Sequence, residues 1–212
     1  MRAVQLKVSI LQTEHHKWMQ NPAPAEHLIL SELQQRWSPV IFSGKPVPAE
    51  LMDRLFEAAR WAPSSSNEQP WTFVVATAAE PELFTRLADC LRPSNSWAKA
   101  APVLALSVAR MTLAGDVKPN RYAFHDTGMA VANLLAQATA EGLFVHQMGG
   151  FDVEKARHDL DVPSGHDPVA MMAIGYYGSP ANAATGLRDR EISPRTRKRL
   201  DEFVFRGTWG KQ

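Results

Sequence analysis

Ala-Pro-Ser-Ser-Ser-Asn-Glu-Gln-Pro-Trp, residues 62–71, is the stretch from which the fold of this 212-residue chain is best worked out. Six consecutive hydrogen-bonding side chains lie between Pro63 and Pro70, and proline favours a loop or turn over a regular helix at such positions. Residues 71–77 follow directly. They are rich in aromatic and β-branched side chains and therefore predict a buried strand. The polar run is either a ligand-binding loop or an ordinary connection from a helix to that strand.

Helices and short apolar strands alternate on both sides of this loop. Apolar residues recur at helical spacing, and Pro48 is well placed to begin the helix that leads into the loop. A few buried strands separated by helices fit a layered α/β sandwich. We assign residues 1–24 to an N-terminal arm and residues 25–212 to the domain. The predicted helices are 24–35, 48–62, 81–91, 122–141 and 153–160, and the predicted strands are 71–77, 103–109, 144–148 and 169–177.

The charged residues nearly balance. The chain has 23 Lys plus Arg and 22 Asp plus Glu, a formal net charge of +1, which argues against an extended basic surface for nucleic acid or an anionic membrane. A single cysteine, Cys90, excludes an internal disulfide and a metal site built from cysteines of this chain. The apolar runs are far shorter than the ~20 residues that span a bilayer. We therefore expect a soluble cytoplasmic protein with neither a nucleic-acid nor a membrane partner.

Glycine and histidine positions exclude several common sites. No two of the twelve glycines are separated by one residue, so the Gly-x-Gly-x-x-Gly dinucleotide fingerprint is absent, and a P-loop is absent too. The histidines lack metal-ligand spacing, and no metal site is predicted. His125 and Asp126 are adjacent, and neighbouring side chains on a helix point about 100° apart and do not face each other. We interpret them as structural rather than as a base and its orienting carboxylate, so the chemistry must come from a bound cofactor.

Three further segments carry unusual local chemistry. Arg36 and Ser38 place a guanidinium and a hydroxyl two residues apart, as one side of a phosphate clamp requires, although a solvated helix end has the same composition. Gly149 and Gly150 follow a strand, so the backbone there either approaches a flat ligand closely or simply turns. Residues 195–199 hold four basic residues in five positions, which suits either an anion site or a solvated tail.

Taken in order along the chain, these segments resemble the FMN-dependent nitroreductase family. The loop at 62–71 is the most specific match, and it is joined by residues 36–38, by Gly-Gly-Phe-Asp at 149–152 and by the arginine-rich segment. The match runs from about residue 30 to the end. It implies an α+β fold, a nitroreductase-like α/β sandwich with a central, mainly antiparallel sheet flanked by helices. It also implies an intertwined homodimer with FMN at the subunit interface.

The resemblance also assigns roles to residues at the matching positions. Arg195 and Arg197 correspond to a basic pair that closes on the FMN phosphate, with Arg199 as an alternative two residues further along. Val40 stands where family members often have a second basic residue, so one phosphate contact is missing. No catalytic side chain is assigned, because the flavin carries the chemistry. The implied cofactor-binding residues are Arg36, Trp37 and Ser38; Pro63, Ser64, Ser65, Ser66, Asn67 and Gln69 of the partner's loop; the backbone of Gly149 and Gly150; and Arg195 and Arg197.

The activity implied by the resemblance is electron transfer from NADH or NADPH through FMN to a nitroaromatic, a quinone or a similar electron-poor small molecule, with ping-pong kinetics. A specialised flavin dehydrogenase or dehalogenase of the same fold is one alternative, although the shortness of segment 111–120 argues against a lid. A non-catalytic flavin-binding protein is another. Reversible bleaching of the flavin by NAD(P)H distinguishes an enzyme from a binding protein.

Overall fold

The structure is a computed structural model that describes residues 21–211. Most of the predicted N-terminal arm, residues 1–20, lies outside the described residues. Short 3₁₀ helices, among them Ser65–Asn67 and Pro93–Ala100, connect the main elements. The α-helices in the described range are α1 (Ser31–Gln35), α2 (Ala49–Arg60), α3 (Pro81–Asp89), α4 (Ala123–Ala140), α5 (Val153–Asp159) and α6 (Thr185–Glu191), and the strands are β1 (Trp71–Thr77), β2 (Val103–Arg110), β3 (Phe144–Met148) and β4 (His166–Gly175).

The four strands form one antiparallel sheet in the order β1-β2-β4-β3. Trp71 at the start of β1 pairs with Ala109 near the end of β2. At the other end of the sheet, Val103 pairs with Ile174 of β4, which in turn pairs with Val145 of β3. This register puts β1 and β3 at the two outer edges of the sheet.

Helices cover both faces of the sheet, which explains why β2 is buried along nearly its whole length. Side chains alternate between the two faces of a strand. Accordingly, Val103 and Ala105 pack with α2 and α4 on one face, and Leu104 and Leu106 pack with α3 and α5 on the other. The predicted α+β sandwich with an antiparallel sheet is confirmed.

The predicted strands and helices are present with ends shifted by up to three residues, except for the first helix. That helix was expected over 24–35 and begins only at Ser31. Its apolar positions have little to pack against in this chain, since Leu28 is fully exposed and Leu33 is 48% exposed. Without a buried face, a short helix gains too little to offset its ordering cost. The N-terminal half of the prediction was therefore wrong.

Two further differences concern the second half of the chain. Strand β4 begins at His166, three residues before the predicted start, and tolerates Pro168 next to an irregularity in its pairing with Ser107 and Val108. Helix α6, which carries Arg190 and Glu191, was not predicted at all. None of the helices within residues 21–211 combines the length and the apolar character needed to cross a bilayer.

Candidate functional site

Residues 36–38 lie where the chain leaves α1 and runs along the outer side of β3. Trp37 is 6% exposed, and its indole packs edge-on against the ring of Phe144 on β3. Nδ1 of His146, also on β3, lies 2.7 Å from the carbonyl oxygen of Pro39. These contacts fix the segment against the sheet edge and leave Arg36 and Ser38 toward the surface, where Arg36 Nη1 donates to Ser38 Oγ at 3.3 Å.

The C-terminal segment that follows α6 returns to the same edge of the sheet. Arg195 donates from Nη1 to the carbonyl oxygen of Asn21 at 2.7 Å and from Nη2 to that of Arg36 at 2.9 Å. Together the segments enclose a cleft of about 210 Å³, which is bordered by Arg36, Ser38, Arg195 and Arg197 among others. The structure thus brings both predicted halves of the phosphate clamp together.

Arg199, the alternative to Arg195 and Arg197, has a different role. Its Nε donates to Asp201 at 3.3 Å, and its backbone N–H donates to Glu202, so it begins the last 3₁₀ turn. It does not border the cleft.

The cleft is strongly cationic. Four guanidinium groups border it, those of Arg36, Arg190, Arg195 and Arg197. Burial, followed by repulsion from Arg197, lowers the pKa of Arg36, and burial followed by repulsion from Arg36 and Arg197 lowers that of Arg195. The hydrogen bonds of Arg36, Arg195 and Arg197 go to a hydroxyl and to backbone carbonyls rather than to carboxylates. Such a cluster suits a multiply charged anion.

Glu191, the last residue of α6, is the carboxylate that borders the cleft. It is 4% exposed, and its two oxygens accept hydrogen bonds from the backbone N–H of Val40 at 3.0 and 3.2 Å, with a further one from Ile41 at 3.3 Å. Burial raises the pKa of Glu191, and these backbone donors oppose that effect. Glu191 therefore fastens α6 to residues 36–41. Val40 is itself 4% exposed and gives the cleft an apolar wall instead of a cation.

The Ser-rich loop, residues 64–69, has a strained backbone. Ser66, Asn67 and Gln69 have φ values of 51°, 58° and 47°, in the left-handed region that costs a non-glycine residue roughly 1 kcal/mol or more. Gln69 is held by its backbone N–H, which donates to Ser64 Oγ at 3.1 Å, and by its side chain, which donates to the carbonyl of Asn67 at 3.2 Å. A conformation of this kind persists only where its surroundings hold it in place.

Two anchors hold the loop. Asp126 of α4 is 1% exposed, and its Oδ2 accepts the backbone N–H of Ser65 at 2.9 Å. Glu68 accepts hydrogen bonds from Arg110 and from the backbone N–H of Ala114, with Oε2 2.7 Å from the latter. The polar run is therefore more than a plain connection, because its backbone is tied to α4 and to the segment after β2.

The expectation that His125 and Asp126 do not face each other was wrong. Nδ1 of His125 lies 3.0 Å from Oδ1 of Asp126. The directions of the two Cβ atoms do diverge on the helix, but both side chains are long enough to turn back, and a carboxylate has one oxygen for each partner. The His125 side chain is 66% exposed.

Gly149 and Gly150 continue from the end of β3. The carbonyl of Gly150 accepts hydrogen bonds from Asn95 Nδ2 at 2.9 Å and from the backbone N–H of Arg92 at 3.2 Å, which fixes the orientation of this peptide. A Cβ at position 150 would lie 2.6 Å from Asn95 Nδ2, whereas one at 149 would meet no atom within 4 Å. A side chain at 150 would therefore have to displace the Asn95 amide, whereas the backbone at 149 borders open space.

The predicted site residues fall at two separate edges of the sheet. Residues 36–38, 149–150 and 195–197 lie at the β3 edge, whereas the Ser-rich loop leads into β1 at the opposite edge. Three interstrand spacings of about 4.8 Å put roughly 14 Å between these edges. One copy of the chain therefore keeps the loop and the arginine segments at opposite edges of the sheet.

Sequence reasoning missed five residues of the cleft, Asn21, His146, Arg190, Glu191 and Ser193. Burial lowers the pKa of His146, with the charge of Arg190 adding to the effect and the hydrogen bond to Pro39 opposing it. The run Arg-Asp-Arg-Glu at 188–191 gave no signal of its own, because adjacent charges are usually solvated. Within residues 21–211, no group of three or more His, Cys, Asp or Glu side chains could hold a metal ion.

The structure combines an antiparallel α+β sandwich, an anchored polar loop before β1 and an arginine cleft beside β3. This combination is the one expected of a nitroreductase-type fold. Comparison with known proteins agrees. Residues 33–176 match the family model named Nitroreductase family, and the chain belongs to that family. The matched range contains the 36–38 segment, the loop and the glycine pair. The arginines of α6 and of the tail lie beyond it.

Individual relatives cover most of the domain. A crystal structure of an oxidoreductase containing FMN has a TM-score of 0.83 at 33% identity, covering 89% of this chain and 96% of that one. An uncharacterized 15.4-kDa protein of Mycolicibacterium smegmatis is 40% identical over 132 residues, 62% of this chain and 88% of that protein. An iodotyrosine deiodinase of Haliscomenobacter hydrossis is 28% identical over 171 residues, 68% of this chain and 75% of that protein.

Proposed function

We propose that this protein is a cytoplasmic, homodimeric, FMN-dependent oxidoreductase that takes electrons from NADH or NADPH and reduces small electron-poor molecules such as nitroaromatics and quinones. The observation that carries this proposal is the cleft at the β3 edge, where Arg36, Arg195 and Arg197 meet. Family membership and the solved relative that contains FMN support the same choice of cofactor.

The donors in the cleft suit a phosphate monoester. Because the chain lacks a glycine-rich helix start, side-chain cations must neutralise such a group, and guanidinium forks bind phosphate oxygens with paired hydrogen bonds. Arg36 and Arg195 are already held in place by Ser38 and by backbone carbonyls. Little rearrangement is then needed when the anion binds, which favours affinity.

When bound, FMN supplies the redox chemistry by accepting a hydride from NAD(P)H and delivering it to the acceptor. The residues of this chain bind and orient the cofactor. The arginine cleft holds the phosphate, and the open backbone at Gly149 leaves room for a flat ring while the Gly150 peptide is fixed by Asn95. A fixed backbone dipole near a ring that gains negative charge on reduction stabilises the reduced form.

In a homodimer, the Ser-rich loop at the β1 edge of one copy can reach the arginine cleft at the β3 edge of the other. The Ser-rich loop and the arginine cleft are separated by the full width of the sheet, so the loop of one copy completes the site of the other in this proposal. Large exposed apolar side chains outside the core support an extensive subunit interface, since burying them there would remove apolar surface from water. In the described residues these include Leu28, Leu30, Phe203, Val204 and Trp209, each more than half exposed.

The acceptor side of the site is open in this proposal. Residues 111–120 fold back as a tight turn, with Leu113 N–H donating to Lys118 O at 2.9 Å and Thr112 bridged to Pro119. A turn this short is no lid over a large substrate, and an open flavin face suits flat acceptors of varied shape.

The test is an anaerobic titration of the flavin-loaded protein. NADH or NADPH should bleach the yellow flavin at a rate at least equal to the turnover rate, and menadione or a nitroaromatic should restore the colour. Steady-state rates at several donor concentrations should give the parallel double-reciprocal lines of a ping-pong mechanism. If neither NADH nor NADPH reduced the flavin, the result would favour a non-catalytic flavin-binding protein instead.

A reductive dehalogenase is the second candidate. The observation that favours it is the likeness to iodotyrosine deiodinases, which extends to a rat protein named Iodotyrosine deiodinase 1 that is 23% identical over 92% of this chain. The short turn at 111–120 weighs against it. Iodide release from an iodotyrosine by the reduced protein, faster than quinone reduction, would select this alternative.

A further inference from the structure

We infer that Arg190 of α6 is an additional ligand of the cofactor phosphate and supplies a charge that position 40 does not provide. This inference rests on the proposed function, because it takes FMN phosphate as the anion of the arginine cleft. It concerns a residue beyond the part of the chain that matches the family model.

The position of Arg190 supports this role. Arg190 is exposed and borders the cleft together with Arg36, Ser38, Arg195 and Arg197. The guanidinium carbon lies over the Trp97 ring, 5.8 Å from its centre and within the range of a cation–π contact. A guanidinium carries five N–H donors. Within the described part of the chain, none of those of Arg190 is used in a side-chain hydrogen bond or a salt bridge.

The residue beside Arg190 anchors this end of α6. Glu191 is buried and holds the backbone of Val40 and Ile41 through both carboxylate oxygens. Both of its oxygens accept hydrogen bonds from the backbone, and the charge of Arg190 acts on it at longer range than a salt bridge, where it opposes the rise that burial causes in the pKa of Glu191. Glu191 thus anchors the end of α6, and the adjacent Arg190 is available to bind an anion.

The cleft has an excess of positive charge. Four arginines and one glutamate border it, and burial lowers the pKa of His146, which also borders it. A phosphate monoester carries close to two negative charges at neutral pH. Because Val40 contributes only an apolar wall, Arg190 is the remaining cation of the cleft beyond the three that were recognised from the sequence.

The experiment compares two flavins that differ only in the phosphate. Full-length protein freed of flavin is titrated with FMN and with riboflavin, following flavin fluorescence, for the wild type, Arg190→Gln, Arg190→Lys and Arg188→Gln. Arg188 lies on the same helix, donates to Thr185 and does not border the cleft, so it is the matched control. Arg190→Lys keeps the charge and guards against misfolding of the Gln variant.

We expect Arg190→Gln to raise the Kd for FMN about tenfold or more, the size of one charge-assisted hydrogen bond, and to leave the Kd for riboflavin unchanged. Arg190→Lys should fall between, and Arg188→Gln should match the wild type. Unchanged FMN binding by Arg190→Gln, or equal weakening for both flavins, overturns the role of Arg190 while the proposed function stands. Wild-type protein that binds neither flavin contradicts the proposed function itself.

Discussion

The backbone N–H of Ser65 donates a hydrogen bond of 2.9 Å to Oδ2 of Asp126, a carboxylate that is 1% exposed at the start of α4. This bond joins the Ser-rich loop to a helix 61 residues further along the chain. It explains how a loop with three non-glycine residues at positive φ keeps one shape. The loop is therefore anchored to α4, although Ser66, Asn67 and Gln69 are exposed.

Removing this carboxylate should loosen the loop. Asp126→Ala leaves the N–H of Ser65 without its acceptor, and we expect the free energy of unfolding to fall by about 1–3 kcal/mol. FMN affinity should fall as well, because the loop contacts the flavin in the proposed dimer. Urea unfolding and flavin titration measure the two effects. Asp53→Ala, at an exposed position of α2, is the control, and equal stability of the two variants would show that the bond is unimportant.

Glu191 should hold the cleft together. In Glu191→Ala the N–H groups of Val40 and Ile41 lose their acceptor, and we expect a loss of about 1–3 kcal/mol in the free energy of unfolding. Hydrogen exchange at these two amides should become faster than in the wild type. Asp189→Ala, on the exposed side of the same helix, should change neither quantity. Unaltered exchange at Val40 and Ile41 would contradict the anchoring role.

His146 should make stability depend on pH. Burial lowers its pKa in the folded protein below the ordinary value of about 6.5, so the unfolded chain takes up the proton first. The resulting stability is fully present above pH 6.5 and is lost as the pH falls from 6.5 through the folded-state pKa. Unfolding free energies measured between pH 7.5 and 5 should fall more steeply for the wild type than for His146→Gln.

The slope is the informative quantity here, because His146→Gln also alters packing. His158→Gln, whose side chain is 89% exposed, serves as the comparison and should keep the wild-type slope. Parallel curves for the wild type and His146→Gln would show that His146 does not titrate differently on folding.

Mixed dimers test whether the site is shared between subunits. One chain carries Arg195→Ala with Arg197→Ala, which removes two cations of the cleft, and the other carries Asn67→Ala with Gln69→Ala in the loop. If each site combines the cleft of one subunit with the loop of the other, one site of the mixed dimer has both defects and the other has none. Differently tagged and co-purified chains should then bind one flavin per dimer.

Neither parent variant should retain flavin under the same conditions. A mixed dimer that is as flavin-free as both parents would place loop and cleft of one chain in the same site, against the distance across the sheet. If the wild type sedimented at 23.5 kDa, the mass of a single chain, the proposed dimer would be contradicted.

The strands and most helices were predictable because their signals are local. The β1 prediction matches residue for residue, since a polar loop and the end of an apolar run bound it. The lack of a helix before Ser31 was not predictable, because the apolar positions there have helical spacing but no core to cover them. Local pattern alone does not reveal which face will be covered.

The candidate site was predictable where residues cluster in sequence. The pairing of Arg36 with Arg195 spans 159 residues and followed from the family resemblance rather than from spacing. Glu191 and Arg190 were missed because their roles depend on the way α6 packs against residues 40 and 41. His125 and Asp126 were misjudged for the opposite reason, since ideal helix geometry was applied to side chains that are free to rotate.

The most direct test of the account is the absorption spectrum of the purified full-length protein. We predict the visible bands of an oxidised flavin, released on denaturation and identified by mass as FMN, at one cofactor per chain. Arg197→Ala should retain less of it through the same purification. A colourless wild-type protein that takes up no FMN on reconstitution would contradict the central claim.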